Sequence, residues 1–344
     1  MTQSKNLTSD LQLNKNKVLY PVLTYSRNLG DFSPDLAELY DHGLKAIRLI
    51  YKGKSEEEFN LRILEIQKYL DENKIDIDIF IDLPGNKPTV ANLDKGLDVK
   101  AGMEYHLADQ ESEFSPTVIP TVNFFNHTNF PNLVNGDIIS VADDELNLLV
   151  KDIQETRVVC EAMNAFYLTS NRSMSVKTNP FVFEANSERD IQFVQNFKYP
   201  QTNIKLFVSF AKKAHDLDRL KSLQPKLDII PKIENILDDT DLIEILDRCE
   251  TVLLGRGDLS TSYEPNEIFT FQKRLIDLCK KHNKRLIIGT GLLTGIGEKQ
   301  TPAISEIMDY SYLRSMGIEA FLITGSNASK QPLKTIKFMN EFEL

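Results

Sequence analysis

Cysteine is scarce in this sequence, and its spacing excludes the sites that cysteines usually build. Cys160, Cys249 and Cys279 are the three cysteines in 344 residues, and their separation fits neither a zinc motif nor a redox motif. Each lies in an apolar pattern, so we expect reduced thiols in a reducing compartment. The five histidines also form no metal-ligand pattern.

Long hydrophobic runs are missing as well. The longest apolar segments have the length of a strand, well below the ~20 residues that a transmembrane helix needs. Residues 1–16 are polar and contain no hydrophobic region of the kind found in signal peptides, which predicts a flexible N-terminal tail. We therefore expect a cytoplasmic protein with no membrane partner.

An excess of positive charge is also absent. The chain has 40 Lys and Arg against 50 Asp and Glu, a net charge of −10, which argues against a nucleic-acid partner. A local basic cleft could still bind a small anion. The glycines of GTGLLTG (289–295) have the wrong spacing for a dinucleotide-binding loop. No serine or cysteine lies in a nucleophile-elbow motif.

The pattern that is present is a repeated alternation of strands and helices. Short β-branched segments occur at 17–24, 45–51, 76–82, 204–210, 227–233, 251–255, 285–290 and 319–324. Helical apolar spacing follows most of them, near 188–197, 212–222, 236–247, 266–282, 303–316 and 333–342. Two earlier helices are predicted, one with Ser33 as its N-cap and one beginning near Ser55. Eight such strands predict a parallel sheet closed into a (β/α)₈ TIM barrel.

The alternation is interrupted once, after the third predicted strand. Residues 88–183 show strand-like alternation without convincing helices. We therefore predict a small, β-barrel-like lid domain over 88–183, inserted into a barrel formed by 17–87 and 184–344.

Polar residues cluster where the predicted barrel strands end, which is where such barrels carry their active sites. They are Arg48, Asp82, Lys232, Glu234, Arg256, Asp258 and Thr290. Lys232 and Glu234 are two residues apart, so both can project from the same side of a strand. Glu234 and Asp258 would supply the one or two carboxylates that Mg²⁺ prefers. Lys232 would be a cation facing developing negative charge, although a salt bridge at the barrel mouth would also explain it.

Several segments together resemble pyruvate kinase over nearly the whole chain. IIPKIEN (229–235) is similar to the family strand that carries the catalytic lysine and the first metal ligand. LGRGDLS (254–260) is similar to the family segment that carries the second metal ligand. IIGTGLL (287–293) resembles the strand with the active-site threonine. NGDIISVADDELNL (135–148) resembles part of the family's inserted β domain.

The resemblance implies a role for each residue of the candidate site. It implies Lys232, Thr290 and Arg48 as catalytic residues and Glu234 and Asp258 as ligands of Mg²⁺ or Mn²⁺. Arg256 and Gly257, with Asp258 and Thr290, would bind substrate, and Asp144 would be the aspartate of the lid. The substrate would be phosphoenolpyruvate, pyruvate or a related keto acid, with ADP or ATP as the second partner.

Departures from the family pattern qualify these implications. Ile50 and Leu83 replace residues of the monovalent-cation pocket, so K⁺ is not expected, and Lys52 or Lys87 could supply an ammonium group in its place. Gly53 and Thr89 replace cationic contacts to the nucleotide. No segment resembling the family's C-terminal regulatory domain follows the last helix, so we expect no allosteric domain and no tetramer of the family type.

Three functions remain open at this stage. The first is Mg²⁺-dependent phosphoryl transfer between phosphoenolpyruvate and a nucleoside diphosphate or another acceptor. The second is a metal-dependent reaction of pyruvate enolate, such as a decarboxylase or aldolase-like reaction, that needs no nucleotide. The third is a non-catalytic homologue that binds a small acid or a partner protein.

Overall fold

A computed structural model describes residues 18–25, 35–51, 55–93, 95–109, 115–125, 127–142, 144–178, 183–198 and 203–342. The predicted tail at 1–16 lies outside these residues, as do Ser33 and Lys52. In the described part of the chain, no helix is long and apolar enough to cross a membrane.

Eight parallel strands form a closed barrel, which confirms the predicted fold class. Each lies within or beside a segment predicted from β-branched residues, because fully buried strands carry nearly continuous apolar runs. The barrel strands are β1 (Tyr20–Thr24), β2 (Ala46–Ile50), β3 (Asp78–Leu83), β13 (Ile204–Val208), β14 (Asp228–Ile233), β15 (Thr251–Gly255), β16 (Arg285–Gly289) and β17 (Ala320–Ile323). They pair in this order, and β17 pairs with β1 to close the barrel.

Helices surround the barrel and cover its apolar outer face. The helices are α1 (Leu36–Asp41), α2 (Glu56–Asn73), α3 (Glu188–Asn196), α4 (Ala214–Leu223), α5 (Asp239–Leu246), α6 (Arg256–Ser262), α7 (Pro265–Lys281), α8 (Thr294–Lys299), α9 (Ile304–Ser315), α10 (Gly325–Lys330) and α11 (Pro332–Glu341). Sequence periodicity did not predict α6, α8 and α10. Each has at most seven residues, which is too short for an apolar stripe to repeat.

The starts of the first two helices show one correct and one wrong prediction. Ser55 caps α2 in a capping box, in which the Glu58 amide donates to Ser55 Oγ at 3.2 Å. The cap of α1 is Asp35 rather than Ser33, because the Asp35 carboxylate accepts the Glu38 amide at 2.9 Å.

In the described part of the inserted domain there are nine strands, and all lie within the predicted range 88–183. They are β4 (Thr89–Val90), β5 (Leu97–Val99), β6 (Glu104–Asp109), β7 (Val118–Val122), β8 (Ile138–Val141), β9 (Leu146–Ile153), β10 (Arg157–Ala162), β11 (Phe166–Leu168) and β12 (Met174–Val176), with a 3₁₀ turn at Phe130–Asn132. Seven form one sheet in the order β12-β8-β9-β10-β6-β7-β4, and β5 pairs with β11. A bridge between Thr89 and Ser173 connects the two edges of the larger sheet, so the sheet is nearly closed.

Two chain segments join the inserted domain to the barrel, and hydrogen bonds hold them together. Asn86 Oδ1 accepts the Glu184 amide at 2.7 Å, and Asp190 Oδ2 accepts the Gly85 amide at 2.9 Å. Gly85 has φ +69°, and a Cβ there would lie 2.8 Å from the Glu184 carbonyl oxygen, so only glycine fits this approach. The inserted domain therefore begins and ends at adjacent points beside the barrel mouth.

Candidate active site

A large cleft lies between the carboxyl ends of the barrel strands and the inserted domain. It has a volume of about 710 Å³. Its barrel side includes Arg48, Asp82, Lys232, Glu234, Gly257, Asp258 and Thr290, and its opposite side is formed by residues 169–173 of the inserted domain. The strand-end residues predicted from the sequence thus meet at one site, with Arg256 as the exception.

Lys232 is the central cation of this site. It is 7% exposed, and its Nζ lies 2.8 Å from Ser209 Oγ, 3.1 Å from Glu234 Oε1 and 3.2 Å from Asp82 Oδ1. Burial alone would lower the pKa of Lys232, but the carboxylates of Asp82 and Glu234 raise it above its ordinary value. The lysine is therefore held as a buried, protonated ammonium group.

Asp82 links the two cations of the barrel mouth. Arg48 Nε donates to Asp82 Oδ2 at 2.6 Å and Arg48 Nη1 to Thr24 Oγ1 at 3.3 Å, while Lys232 Nζ donates to Asp82 Oδ1 at 3.2 Å and to Oδ2 at 3.4 Å. Burial would raise the pKa of Asp82, but Arg48 and Lys232 lower it below its ordinary range. Asp82 is 2% exposed, so it acts as a counter-charge that orients Arg48 and Lys232 rather than as a surface carboxylate.

Glu234 and Asp258 are the two carboxylates available to a metal ion. Glu234 is 6% exposed, and its Oε2 accepts the Phe210 amide at 3.1 Å. Burial raises the pKa of Glu234 to about 7, Lys232 opposes this rise, and the nearby charge of Asp258 adds to it. Asp258 lies in the first turn of α6 and forms an ion pair with Lys87.

The donor chemistry of this pair fits Mg²⁺. Two carboxylates are the usual protein contribution, and water and substrate oxygens complete the octahedron. The backbone leaves room for Glu234 because residue 255 is glycine, where a Cβ would lie 2.6 Å from Glu234 Cγ. Within the described residues, no group of three or more His, Cys, Asp and Glu side chains is arranged to bind a metal.

Lys87, predicted as a possible replacement for K⁺, lies in the same cleft. Its ammonium group pairs with Asp258 and lies 5.5 Å from the centre of the Phe183 ring. The lysine comes from the segment that leads into the inserted domain, whereas Asp258 comes from the barrel. The ion pair places Lys87 at Asp258, and its role as a replacement for K⁺ stays a prediction.

Arg256 and Asp144 lie elsewhere than the other predicted site residues. Arg256 does not line the cleft, because its guanidinium group faces the Thr290 carbonyl and Asp309. Asp144 lies in the turn between β8 and β9, and its carboxylate is 2.5 Å from Lys177 Nζ. Neither side chain contacts the Lys232 centre in this structure.

Sequence reasoning missed three polar side chains of the site, Ser209, Arg62 and Arg172. Ser209 follows β13 and contacts Lys232, as the strand-end rule could have predicted. Arg62 of α2 donates to the Tyr25 carbonyl at 2.7 Å, and Arg172 of the inserted domain donates to Thr169 Oγ1 at 3.0 Å. Both arginines line the cleft, but neither lies at a barrel strand end, so no local pattern pointed to them.

Comparison with known proteins identifies the family. A family model described as "Pyruvate kinase, barrel domain" matches residues 27–336. The chain belongs to the pyruvate kinase family. Pyruvate kinase isozyme G, chloroplastic, of Nicotiana tabacum is 28% identical over 275 residues, which cover 78% of this chain and 48% of that relative. Pyruvate kinase of Thermotoga maritima is 26% identical over 314 residues, covering 89% of this chain and 66% of the relative.

Structural similarity agrees with this family and shows the shared fold. A crystal structure of Cryptosporidium parvum pyruvate kinase matches with a TM-score of 0.79 at 19% identity, covering 94% of this chain and 69% of the other. The chain therefore spans about half to two thirds of the length of these pyruvate kinases. The resemblance inferred from IIPKIEN and LGRGDLS is confirmed at the level of family.

Proposed function

We propose that this protein transfers a phosphoryl group between phosphoenolpyruvate and a nucleoside diphosphate in a reaction that requires Mg²⁺ or Mn²⁺. The observation that supports this most directly is the buried Lys232 ammonium group, held between Asp82 and Glu234 at the mouth of the barrel. Phosphoryl transfer depends mainly on positioning and on electrostatic stabilisation, which a rigid buried cation provides.

The chain's own residues would divide the work as follows. Lys232 would stabilise charge on the transferring phosphoryl group and on the enolate oxygen. Arg48, oriented by Asp82, would contact the phosphoryl oxygens, and Thr290 would hold the proton that enters or leaves the methylene carbon. Glu234 and Asp258 would hold the divalent ion, which polarises and orients the oxygens of the acid when bound.

The nucleotide side of the cleft also contains cations, although the expected ones are replaced. Thr89 lines the cleft where family resemblance implies an arginine, and Gly53 lies outside the described residues. Arg62 and Arg172 line the same cleft, so we propose that they contact the phosphates of ADP or ATP.

We further propose that the reaction does not need K⁺. The side chain of Leu83 is buried in the apolar core, and Ile50 lines the cleft with an apolar side chain, so neither side chain offers an oxygen ligand to a monovalent ion. Lys87 supplies a fixed positive charge at Asp258 instead. Lys52 lies outside the described residues.

A second function is favoured because the two sides of the cleft differ in how closely they follow the family pattern. The acid side retains its family-like residues, whereas Ile50 and Thr89 stand where family resemblance implies contacts to the cation and the nucleotide. A reaction of pyruvate enolate without nucleotide would use only the acid side.

One assay separates these functions. Release of pyruvate from phosphoenolpyruvate would be followed with Mg²⁺, with and without ADP and K⁺. Pyruvate formation that requires ADP and is insensitive to K⁺ supports the first proposal. Exchange of pyruvate methyl protons in deuterated water, without phosphoryl transfer to ADP, supports the second. Absence of both activities, with retained binding of the acid, would indicate a non-catalytic homologue.

A further inference from the structure

Thr290 has an unusual backbone conformation for its residue type. Its φ is +69°, in the left-handed region, and among the described residues it is the only β-branched one with positive φ. Such residues are disfavoured there because the branched side chain crowds the backbone. A strained conformation of this kind persists only when surrounding contacts hold it in place.

Arg256 makes the contact that holds this backbone. Its Nε and Nη2 both donate to the Thr290 carbonyl oxygen, at 3.1 Å and 2.8 Å. The other side of the guanidinium group is anchored as well, because Nη1 lies 2.9 Å from Asp309 Oδ2 and 3.5 Å from Gln272 Oε1. The planar fork of arginine allows all these bonds at once.

The backbone of Gly257 packs against the side chain of the same threonine. A Cβ at residue 257 would lie 3.1 Å from Thr290 Cγ2, so the glycine backbone packs directly against the threonine. Gly257 and Thr290 both line the cleft, whereas Arg256 between Gly255 and Gly257 does not. Consecutive residues of α6 thus hold the carbonyl and the side chain of Thr290 from two directions.

We propose that Arg256 is a positioning residue: it holds Thr290 in the left-handed conformation that presents its side chain to the cleft. The expected effect of Arg256 on catalysis rests on the proposed function, because that function assigns Thr290 to the proton step. Arg256 would then act without touching the substrate, in contrast to the substrate-binding role that the family resemblance implies.

The test is a double-mutant cycle of Arg256→Lys and Thr290→Ala. Lysine retains the charge but cannot donate two coplanar hydrogen bonds to one carbonyl. We expect R256K to lower the rate of pyruvate methyl-proton exchange at least tenfold, with KM for phosphoenolpyruvate and Mn²⁺ affinity changed less than twofold. In the T290A background, R256K should change the exchange rate less than twofold. Fully multiplicative effects, or equal losses in every measured parameter, would refute the inference.

Two further variants separate a local effect from a loss of folding. Arg248→Lys changes an exposed arginine that pairs with Asp218, and it should leave the exchange rate unchanged. Asp309→Asn keeps the guanidinium group but weakens its anchor, so it should lower the exchange rate about threefold. If R256K does not fold, the exchange rate of D309N tests the inference in its place, and an unchanged rate would refute it.

A measurement without catalysis distinguishes failure of this inference from failure of the proposed function. The methyl resonance of Thr290, assigned through the T290A spectrum, should be sharp in the wild-type protein and shifted or broadened in R256K. If the wild-type protein shows no exchange and no phosphoryl transfer but the resonance moves, the proposed function is wrong and the positioning role stands. An unmoved resonance would refute the positioning role whatever the activity.

Discussion

Asp82→Asn removes the counter-charge that two buried cations share, while nearly preserving the shape of the side chain. The asparagine would offer Arg48 one neutral amide oxygen in place of a carboxylate, Arg48 would keep its 3.3 Å bond to Thr24 Oγ1, and Lys232 would retain Ser209 and Glu234. Breaking a buried ion pair by removing one partner costs about 3–5 kcal/mol. Since Lys232 keeps one carboxylate, we expect the lower end, about 3 kcal/mol, or roughly a 150-fold loss in the folded-to-unfolded ratio.

Urea denaturation at pH 7.5 would measure this loss, with Asp218→Asn as the matched control. Asp218 pairs with Arg248 at 3.3 Å, but both side chains are over 40% exposed, so removing its charge should change stability by less than about 0.5 kcal/mol. A D82N variant no less stable than D218N would refute the idea that Asp82 holds the site together.

The pH dependence of the stability difference between wild type and D82N provides a second check. The pKa of Asp82 is below its ordinary value of 3.8, so the folded state binds the proton more weakly than the unfolded state. Its contribution to stability is therefore fully present above about pH 4–5 and is lost as pH falls through the folded pKa. The difference between wild type and D82N should accordingly shrink below pH 4.

Further predictions concern three other residues. Lys232→Met should lower pyruvate formation by about 10²–10³-fold, whereas Lys205→Met, which removes an ion pair to Asp78 in the barrel, should lower stability but not turnover. Lys87→Met should tighten Mn²⁺ binding by about fivefold, because it removes from Asp258 a competing positive charge worth ~1 kcal/mol. Electron paramagnetic resonance would measure the Mn²⁺ affinity, and weaker binding would contradict this prediction. Burial raises the pKa of Asp190 to about 6, so wild-type stability should fall as pH rises from about 4 to 6. Asp190→Asn should lack this fall, gaining up to roughly 3 kcal/mol over the wild type by pH 7.5 in urea denaturation.

Local pattern predicted the parts of the fold whose signal is contained in short segments. The eight barrel strands are apolar runs bounded by polar residues, and the inserted domain shows a period of two, so both could be located before any tertiary contact was known. The capping box at Ser55 is equally local, whereas the cap at Asp35 was missed because Ser33 offered a similar signal two residues earlier.

The sequence by itself determined that Lys232 and Glu234 project to the same side at the end of one strand, because side chains alternate with a period of two. Their partners were decided only by the tertiary structure: Asp82 reaches Lys232 across 150 residues, and Lys87 reaches Asp258 across 171. Arg256 also follows a strand, but α6 begins at that residue and directs its side chain to Thr290 and Asp309. Side-chain periodicity is a property of the local backbone, whereas charge pairing depends on which strand ends the closed barrel brings together.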